Sequence, residues 1–326
     1  QTKWRRCVHA INIMRLILLD GTLTSGTDAF LSQCCKLAIS GFRSAQWGIR
    51  NSCMMLFTAV IQKSIDNEKN DRKNILARRT ATVVGYFMKF PDLFPFMCVE
   101  LDYATTKAGV EVDTKRRTQA LYPILLLFSK LKPSLQSVSL NQTETEIKTG
   151  AGAGAGAGAS FVDIDIFIPM IEKCYDSIEI KTRHAAASAL ASIIPVASIP
   201  TKIQSLCKDY IPHMCQSANE LHGVMLTILS LCESLCKHNY HYMHQYMYKP
   251  LHNSTNTQYD DNTKLLIVVG LEMENSAVPL YMCVLDTIMT CQYKYAVVPP
   301  TLTLVYLKTL NCFKILGYEY STLMTH

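Results

Sequence analysis

The chain has 326 residues, 49% of them hydrophobic, enough apolar side chains to bury a substantial core, which excludes a globally disordered chain. Its 32 Lys and Arg against 26 Asp and Glu leave a formal charge of +6, a mild basic excess that permits an RNA or acidic partner without demanding one. Arg15, Lys130 and Lys264 interrupt or flank the strongest apolar runs, so none reaches the roughly 18 residues needed to span a bilayer.

Apolar residues recur mainly at steps of three and four, the spacing of a helix with one buried stripe. The first predicted helices cover Val8 to Leu19 and Ala29 to Phe42. From Gln46 to Lys63, Ile49, Cys53, Leu56, Phe57 and Val60 share one face, with Arg50 and Asn51 near the start. A loop of mixed charge is expected from Ser64 to Arg79, then helices from Leu93 to Thr105 and Thr118 to Leu131. Pro133 to Ser160 is the main break. Ser, Thr, Gln and Asn dominate its first half, and Gly150 to Ala159 is a plain Gly-Ala alternation with no side chain to anchor it, which predicts a flexible linker. Residues 1–132 are thus expected to form N-terminal helical repeats, 133–160 a linker, and 161–326 C-terminal repeats continuing the same array.

After the linker, Val162 to Ile166 alternates like a strand. Ala186, Ala189, Leu190 and Ile193 form a stripe of small residues that lets a neighbouring helix approach closely. The clearest helix carries Leu221, Val224, Met225, Ile228, Leu229, Cys232 and Leu235 on one stripe, with Glu220, Thr227, Glu233 and Lys237 expected to face away. A loop from Lys249 to Asn262, a short β-branched run from Lys264 to Gly270, and helices from Pro279 to Cys291 and Thr301 to Leu316 complete the chain. Many helices on short connectors, without regular alternation of strand and helix, predict an all-α fold, a HEAT/armadillo-like α-solenoid.

Thirteen cysteines, among them Cys34, Cys35, Cys53, Cys98, Cys232 and Cys283 inside apolar stretches, read as small hydrophobes in a reducing compartment. The Asn-x-Thr triplets at Asn141 and Asn253 are read as chance occurrences. Gln1 opens the chain without a methionine or a signal-peptide pattern, and the expectation is a piece of a longer polypeptide. Gly150 to Gly158 is the one Gly-rich stretch, and it lacks the preceding strand and the later acidic residue that a methyl-donor or dinucleotide site needs. His238, His241 and His244 after Cys232 and Cys236 invite a zinc reading, but the spacing fits no standard knuckle and the tyrosines between them suggest a helix end or loop. No Gly-flanked nucleophile accompanies any cysteine. The expectation is no catalytic residue, no metal and no cofactor.

Basic clusters are the best functional candidates. Lys69, Arg72, Lys73, Arg78 and Arg79 lie in or beside one loop, and Lys115, Arg116 and Arg117 precede a helix; both sets can neutralise phosphates. His222 beside the best apolar stripe is a candidate for an interhelical hydrogen bond or a partner contact. Arg50, Asn51 and Arg183 head helices whose next turns are apolar, and their expected role is to tether repeats.

Two segments, SAQWGIRNSCMMLFTAVI from Ser44 and SIEIKTRHAAASALASIIP from Ser177, resemble the second helices of HEAT-type repeats. CVHAINIMRLIL at Cys7, KFPDLFPFM at Lys89, LYPILLLFSKLKPS at Leu121, TRHAAASALASIIP at Thr182 and ELHGVMLTILSLCE at Glu220 then follow in the order found in THADA-like proteins. The chain therefore resembles the THADA family, which includes the fungal non-catalytic partner of a tRNA ribose 2′-O-methyltransferase. The resemblance covers Cys7 to about Leu235 and grows weak from Cys236 to His326. It implies a cytoplasmic helical scaffold, not an enzyme, that binds an FtsJ-type tRNA 2′-O-methyltransferase, and with it tRNA, to support ribose methylation in the anticodon loop. The family's Arg-Arg-Ser-Ala-Gly motif, just before the first matching helix, is absent here. The alternative is a protein-only interaction scaffold, cytosolic or peripheral to an organelle membrane, without a direct RNA role.

Overall fold

The computed structural model describes residues 2–66, 82–106, 119–134, 162–247, 283–288 and 300–315, and of 2, 21, 24, 25, 66, 238–247, 300, 301, 310, 311 and 313–315 the backbone alone. The described residues are all-α: no strand occurs among them, and Thr82 and Lys132 form an isolated parallel bridge. They fall into two compact units.

The first unit holds eight named helices: α1 (Thr2–Leu19), α2 (Leu31–Gly41), α3 (Trp47–Ile61), α4 (Val83–Lys89), α5 (Leu93–Thr105), α6 (Leu121–Lys130), α7 (Phe167–Glu172) and α8 (Ile180–Ile193). Helix α3 packs against α1 and α2, α5 against α6 and α7, and α6 against α8. The apolar step of three and four in α3 explains its place, because Cys53, Leu56, Phe57 and Val60 are each at most 1% exposed, and removing one such Leu or Phe side chain from water is worth about 1.5–3 kcal/mol. The Lys63 side chain, in the π-helical turn after α3, is buried, and its Nζ donates to the Leu18 carbonyl at 3.3 Å. That bond satisfies one of the carbonyls that the end of α1 leaves without a helical partner.

Four phenylalanines from four helices form the centre of this unit. Phe87 of α4 stacks on Phe167 of α7 with ring centroids 5.6 Å apart, and Phe128 of α6 and Phe94 of α5 lie at 5.0 and 5.4 Å from Phe167. Residues 162–174 and 179–193, which follow the segment expected to be a linker, pack with the helices before it. Helix α4 is too short for a periodic signal. Thr82 caps it by accepting from the Gly85 N–H at 3.1 Å, and Tyr86 and Phe87 are buried. The strand-like alternation at 162–166 is not a strand: Asp163 accepts from the Asp165 N–H at 3.1 Å and starts a 3-10 turn that leads into α7. This local bond competes successfully with the extended backbone.

The second unit includes α9 (Ile199–Ser205), α10 (Ala218–Met247) and α11 (Pro300–Ile315), with α10 packed against both others. Helix α10 starts at a capping box. Ser217 Oγ accepts from the Glu220 N–H at 3.0 Å while Glu220 accepts from the Gln216 N–H at 2.9 Å and from Tyr210 Oη–H at 2.8 Å. Residues 221–229 are all buried, so this stretch is covered on every side rather than along one stripe. Thr227, expected to face solvent, is 0% exposed and donates its hydroxyl to the Gly223 carbonyl at 3.0 Å. A threonine can be buried this way because the helix itself supplies its acceptor. Gly223 is obligatory for the packing: a Cβ there would sit 2.5 Å from the Tyr175 carbonyl oxygen.

The backbone stays helical to Met247, through the segment expected to be a helix end or loop. Residues 283–288 are helical as expected, while 67–79, 135–160, 249–262 and 264–270 lie outside the described residues.

Candidate partner interface

Exposed cations cluster at the head of α1, and the cluster arises from the order of its residues. Lys3, Arg5, Arg6 and His9 are exposed, Arg15 is partly so, and no acidic residue occurs in the helix. Ile11 and Leu18 hold the side away from Arg5, Arg6 and His9 in the core at 6% and 5% exposure. The same end of the unit carries the start of α3. A Cβ at Gly48 would lie 3.1 Å from the Trp4 ring, so the lack of a side chain there lets Trp4 rest against α3. Arg5 sits over the Trp4 ring, its guanidinium carbon 5.5 Å from the centroid. Trp47, at the first position of α3, is 68% exposed.

Cations beside an exposed indole suit a nucleic acid chemically: the guanidinium and ammonium groups neutralise phosphates, and the indole face stacks on an unpaired base. The second half of the α1 outer face is apolar, with Ile13, Leu16 and Ile17 exposed at 57%, 61% and 42%, a surface suited to a protein. The sequence reading missed this end of the unit. Its signal was present in the run Lys3 to Arg6, but nothing local brings Gly48 and the start of α3 against Trp4.

A second feature without a local sequence signal ties α2 to α5. The Arg43 guanidinium pairs with the buried Glu100 carboxylate and lies 4.4 Å over the Tyr103 ring. Burial pushes the Glu100 carboxyl above the usual carboxylate range, against the opposing pull of Arg43. The pair is structural, with Glu100 6% exposed.

Of the residues singled out from sequence, Lys69, Arg72, Lys73, Arg78, Arg79, Lys115, Arg116 and Arg117 lie outside the described residues. His222 is 4% exposed, within the buried part of α10, and offers no surface to a partner. Arg50 donates from Nη1 to the Ser44 and Ala45 carbonyls at 2.7 and 3.1 Å, which fixes the turn leading into its own helix. Asn51 is exposed, and Arg183 is buried in the first turn of α8. Cys232 is fully buried, and among the described residues no three His, Cys, Asp or Glu are placed to hold a metal ion. Among the described residues no single helix is long and apolar enough to cross a membrane.

Comparison with known proteins agrees with the helical-repeat pattern. The family described as Trm732, C-terminal TPR repeats, matches residues 50–149 and 153–231, and the THADA/TRM732 domain DUF2428 matches residues 1–48. The tRNA (32-2′-O)-methyltransferase regulator THADA of Canis lupus familiaris is 26% identical over 236 residues, 72% of this chain. The tRNA (32-2′-O)-methyltransferase regulator trm732 of Schizosaccharomyces pombe is 28% identical over 222 residues, 68% of this chain. The chain spans 11% of the length of the dog protein and 13% of the fission-yeast one. No solved structure matches it.

Proposed function

Because this chain belongs to the THADA/TRM732 family, we propose that it is part of a non-catalytic regulator of a tRNA 2′-O-methyltransferase. In this reading the helices hold tRNA and enzyme together, the enzyme is of the FtsJ type, the methylated ribose lies in the anticodon loop, and the assembly works in the cytoplasm. The observation that carries it is the pairing of relatives named as regulators of that methylation with a basic, indole-bearing end on α1 and α3. Lys3, Arg5 and Arg6 contact tRNA phosphates, and Trp47 stacks on a base that the loop leaves unpaired. In the same reading Lys69, Arg72, Lys73, Arg78, Arg79, Lys115, Arg116 and Arg117 supply further phosphate contacts.

Depletion of the full-length protein, with mapping of 2′-O-methylation and recovery of bound proteins, tests the whole reading. Loss of anticodon-loop methylation and recovery of a methyltransferase support it; unchanged methylation and no methyltransferase overturn it. For the surface, tRNA binding by Arg5→Glu/Arg6→Glu and by Trp47→Ala is compared with the parent. If Lys3, Arg5 and Arg6 each neutralise one phosphate, α1 contributes about −2 to the log–log slope of affinity against salt, from roughly 0.7 per phosphate on single strands.

A protein-only scaffold, cytosolic or peripheral to an organelle membrane, is the second reading, and the exposed Ile13, Leu16 and Ile17 favour it. It predicts that Ile13→Ser/Leu16→Ser abolishes partner recovery while the Arg5→Glu/Arg6→Glu variant keeps it.

A further inference from the structure

We propose that Cys236 and Cys312 form a reactive dithiol that closes into a reversible disulfide, joining α10 to α11 on exposure to a hydroperoxide. The two residues lie 76 positions apart in sequence, yet the Cys236 thiol donates to the Cys312 carbonyl at 3.4 Å, on helices that pack together. The two side chains are also within hydrogen-bonding reach of each other.

Their surroundings give the pair separate roles. Cys236 is half-buried, so an oxidant reaches it, while Cys312 is 7% exposed behind it. The hydrogen bond from the Cys312 thiol pushes the Cys236 thiol below its ordinary range, and the same bond with burial pushes Cys312 up. Cys236, the more exposed of the two, meets the oxidant first, and Cys312 is the thiol that resolves it. The neighbouring Cys232 and Cys207 are 0% and 3% exposed. Burial drives the Cys232 thiol well above its ordinary range, which makes it inert. Elsewhere burial pushes Cys35 and Cys174 up to about 12 and Cys53 up to about 11.

The chemistry balances with hydrogen peroxide as the oxidant. The Cys236 thiolate attacks one peroxide oxygen, the O–O bond breaks, and the second oxygen leaves as hydroxide, which takes up the proton that the thiol had released. Cys236 is then a sulfenic acid. The Cys312 sulfur attacks the Cys236 sulfur, the S–O bond breaks, and the hydroxyl leaves with the Cys312 proton as water. Two thiols have lost two electrons and the peroxide has become two waters. A dithiol reductant reverses the bond by exchange.

The test treats the full chain with hydrogen peroxide and maps non-reduced proteolytic peptides by mass spectrometry. The expected product is the Cys236 peptide linked to the Cys312 peptide, lighter by two hydrogens and released by dithiothreitol. Alkylation of the two thiols is lost in step, and amides of α11 exchange more slowly in the linked form. Cys312→Ser is expected to stop at a Cys236 sulfenic acid that dimedone traps. Because linkage is read directly on the parent chain, a variant that fails to fold does not decide the outcome. If both thiols remain separately alkylatable after peroxide has oxidised Cys7, which is exposed, or if Cys236 links to a different cysteine, the proposal is wrong.

Discussion

Replacing Gly223 by alanine sets two known effects against each other with opposite signs. Alanine in a helix interior is favoured over glycine by roughly 0.5–1 kcal/mol, so in open space the change stabilises. At Gly223 the added Cβ would meet the Tyr175 carbonyl oxygen at 2.5 Å, its Cα at 2.7 Å and its carbonyl carbon at 2.9 Å. All three are backbone atoms, so no side-chain rotation relieves the overlap and α10 or the 175–178 turn must shift. Overpacking of that kind costs typically 1–3 kcal/mol, which leaves a net loss centred on about 1 kcal/mol and reaching about 2.5 kcal/mol. Urea unfolding combined with hydrogen exchange on α10 peptides measures it, since the two units need not unfold together. Gly26→Ala is the control, because nothing lies within 4 Å of a Cβ there, and it should leave stability unchanged or raise it by up to about 1 kcal/mol. If Gly223→Ala is as stable as the parent or more so, the close approach that we place at the start of α10 does not exist.

Arg43→Ala should cost about 1–3 kcal/mol in thermal or chemical unfolding, because it leaves the buried Glu100 carboxylate without its cation, and adding Glu100→Gln should recover part of the loss. Glu100 also sets a pH dependence. Its carboxyl is raised in the fold, so its contribution is fully present below the unfolded carboxylate range and is lost as pH rises through the folded value. The parent should therefore lose stability relative to Glu100→Gln across that rise, and parallel pH profiles would argue against the assignment. Lys63→Met should loosen the end of α1 by roughly 0.5–1.5 kcal/mol, read as faster exchange of amides near Leu18. Ser217→Ala should cost about 1 kcal/mol through the loss of the α10 cap, with no effect on exchange in α1 to α6.

Much of the helical frame was legible because apolar spacing is a local signal. Helix α5 runs from Leu93 to Thr105 as read, and α3 and α11 begin or end within a few residues of expectation. The Ser217 to Glu220 cap could also have been read, since a serine three residues before a glutamate at the head of an apolar run has one physical meaning. Val162 to Ile166 misled because alternation describes which side chains are apolar and says nothing of the Asp163 carboxylate, which captures the Asp165 N–H. Thr227 misled because polarity predicts exposure only when no acceptor waits inside. The Arg43 and Glu100 pair spans 57 residues, and the meeting of Trp4 with Gly48 depends on how α1 and α3 lie together. No window on the sequence contains either. At the candidate surface, the cations of α1 were readable as charges, but their assembly with an exposed tryptophan is a property of the packing.

The buried course of α10 has a consequence for inherited variation. With every position from 221 to 229 enclosed, a missense change there meets neighbours whichever way it points, and its first effect is on the fraction of molecules that stay folded. Cellular quality control converts a loss of one or two kcal/mol into several-fold lower abundance. Carriers of such alleles should show too little protein, whereas on the reading proposed above alleles at Arg5, Arg6 or Trp47 should show normal amounts of a protein that binds tRNA weakly.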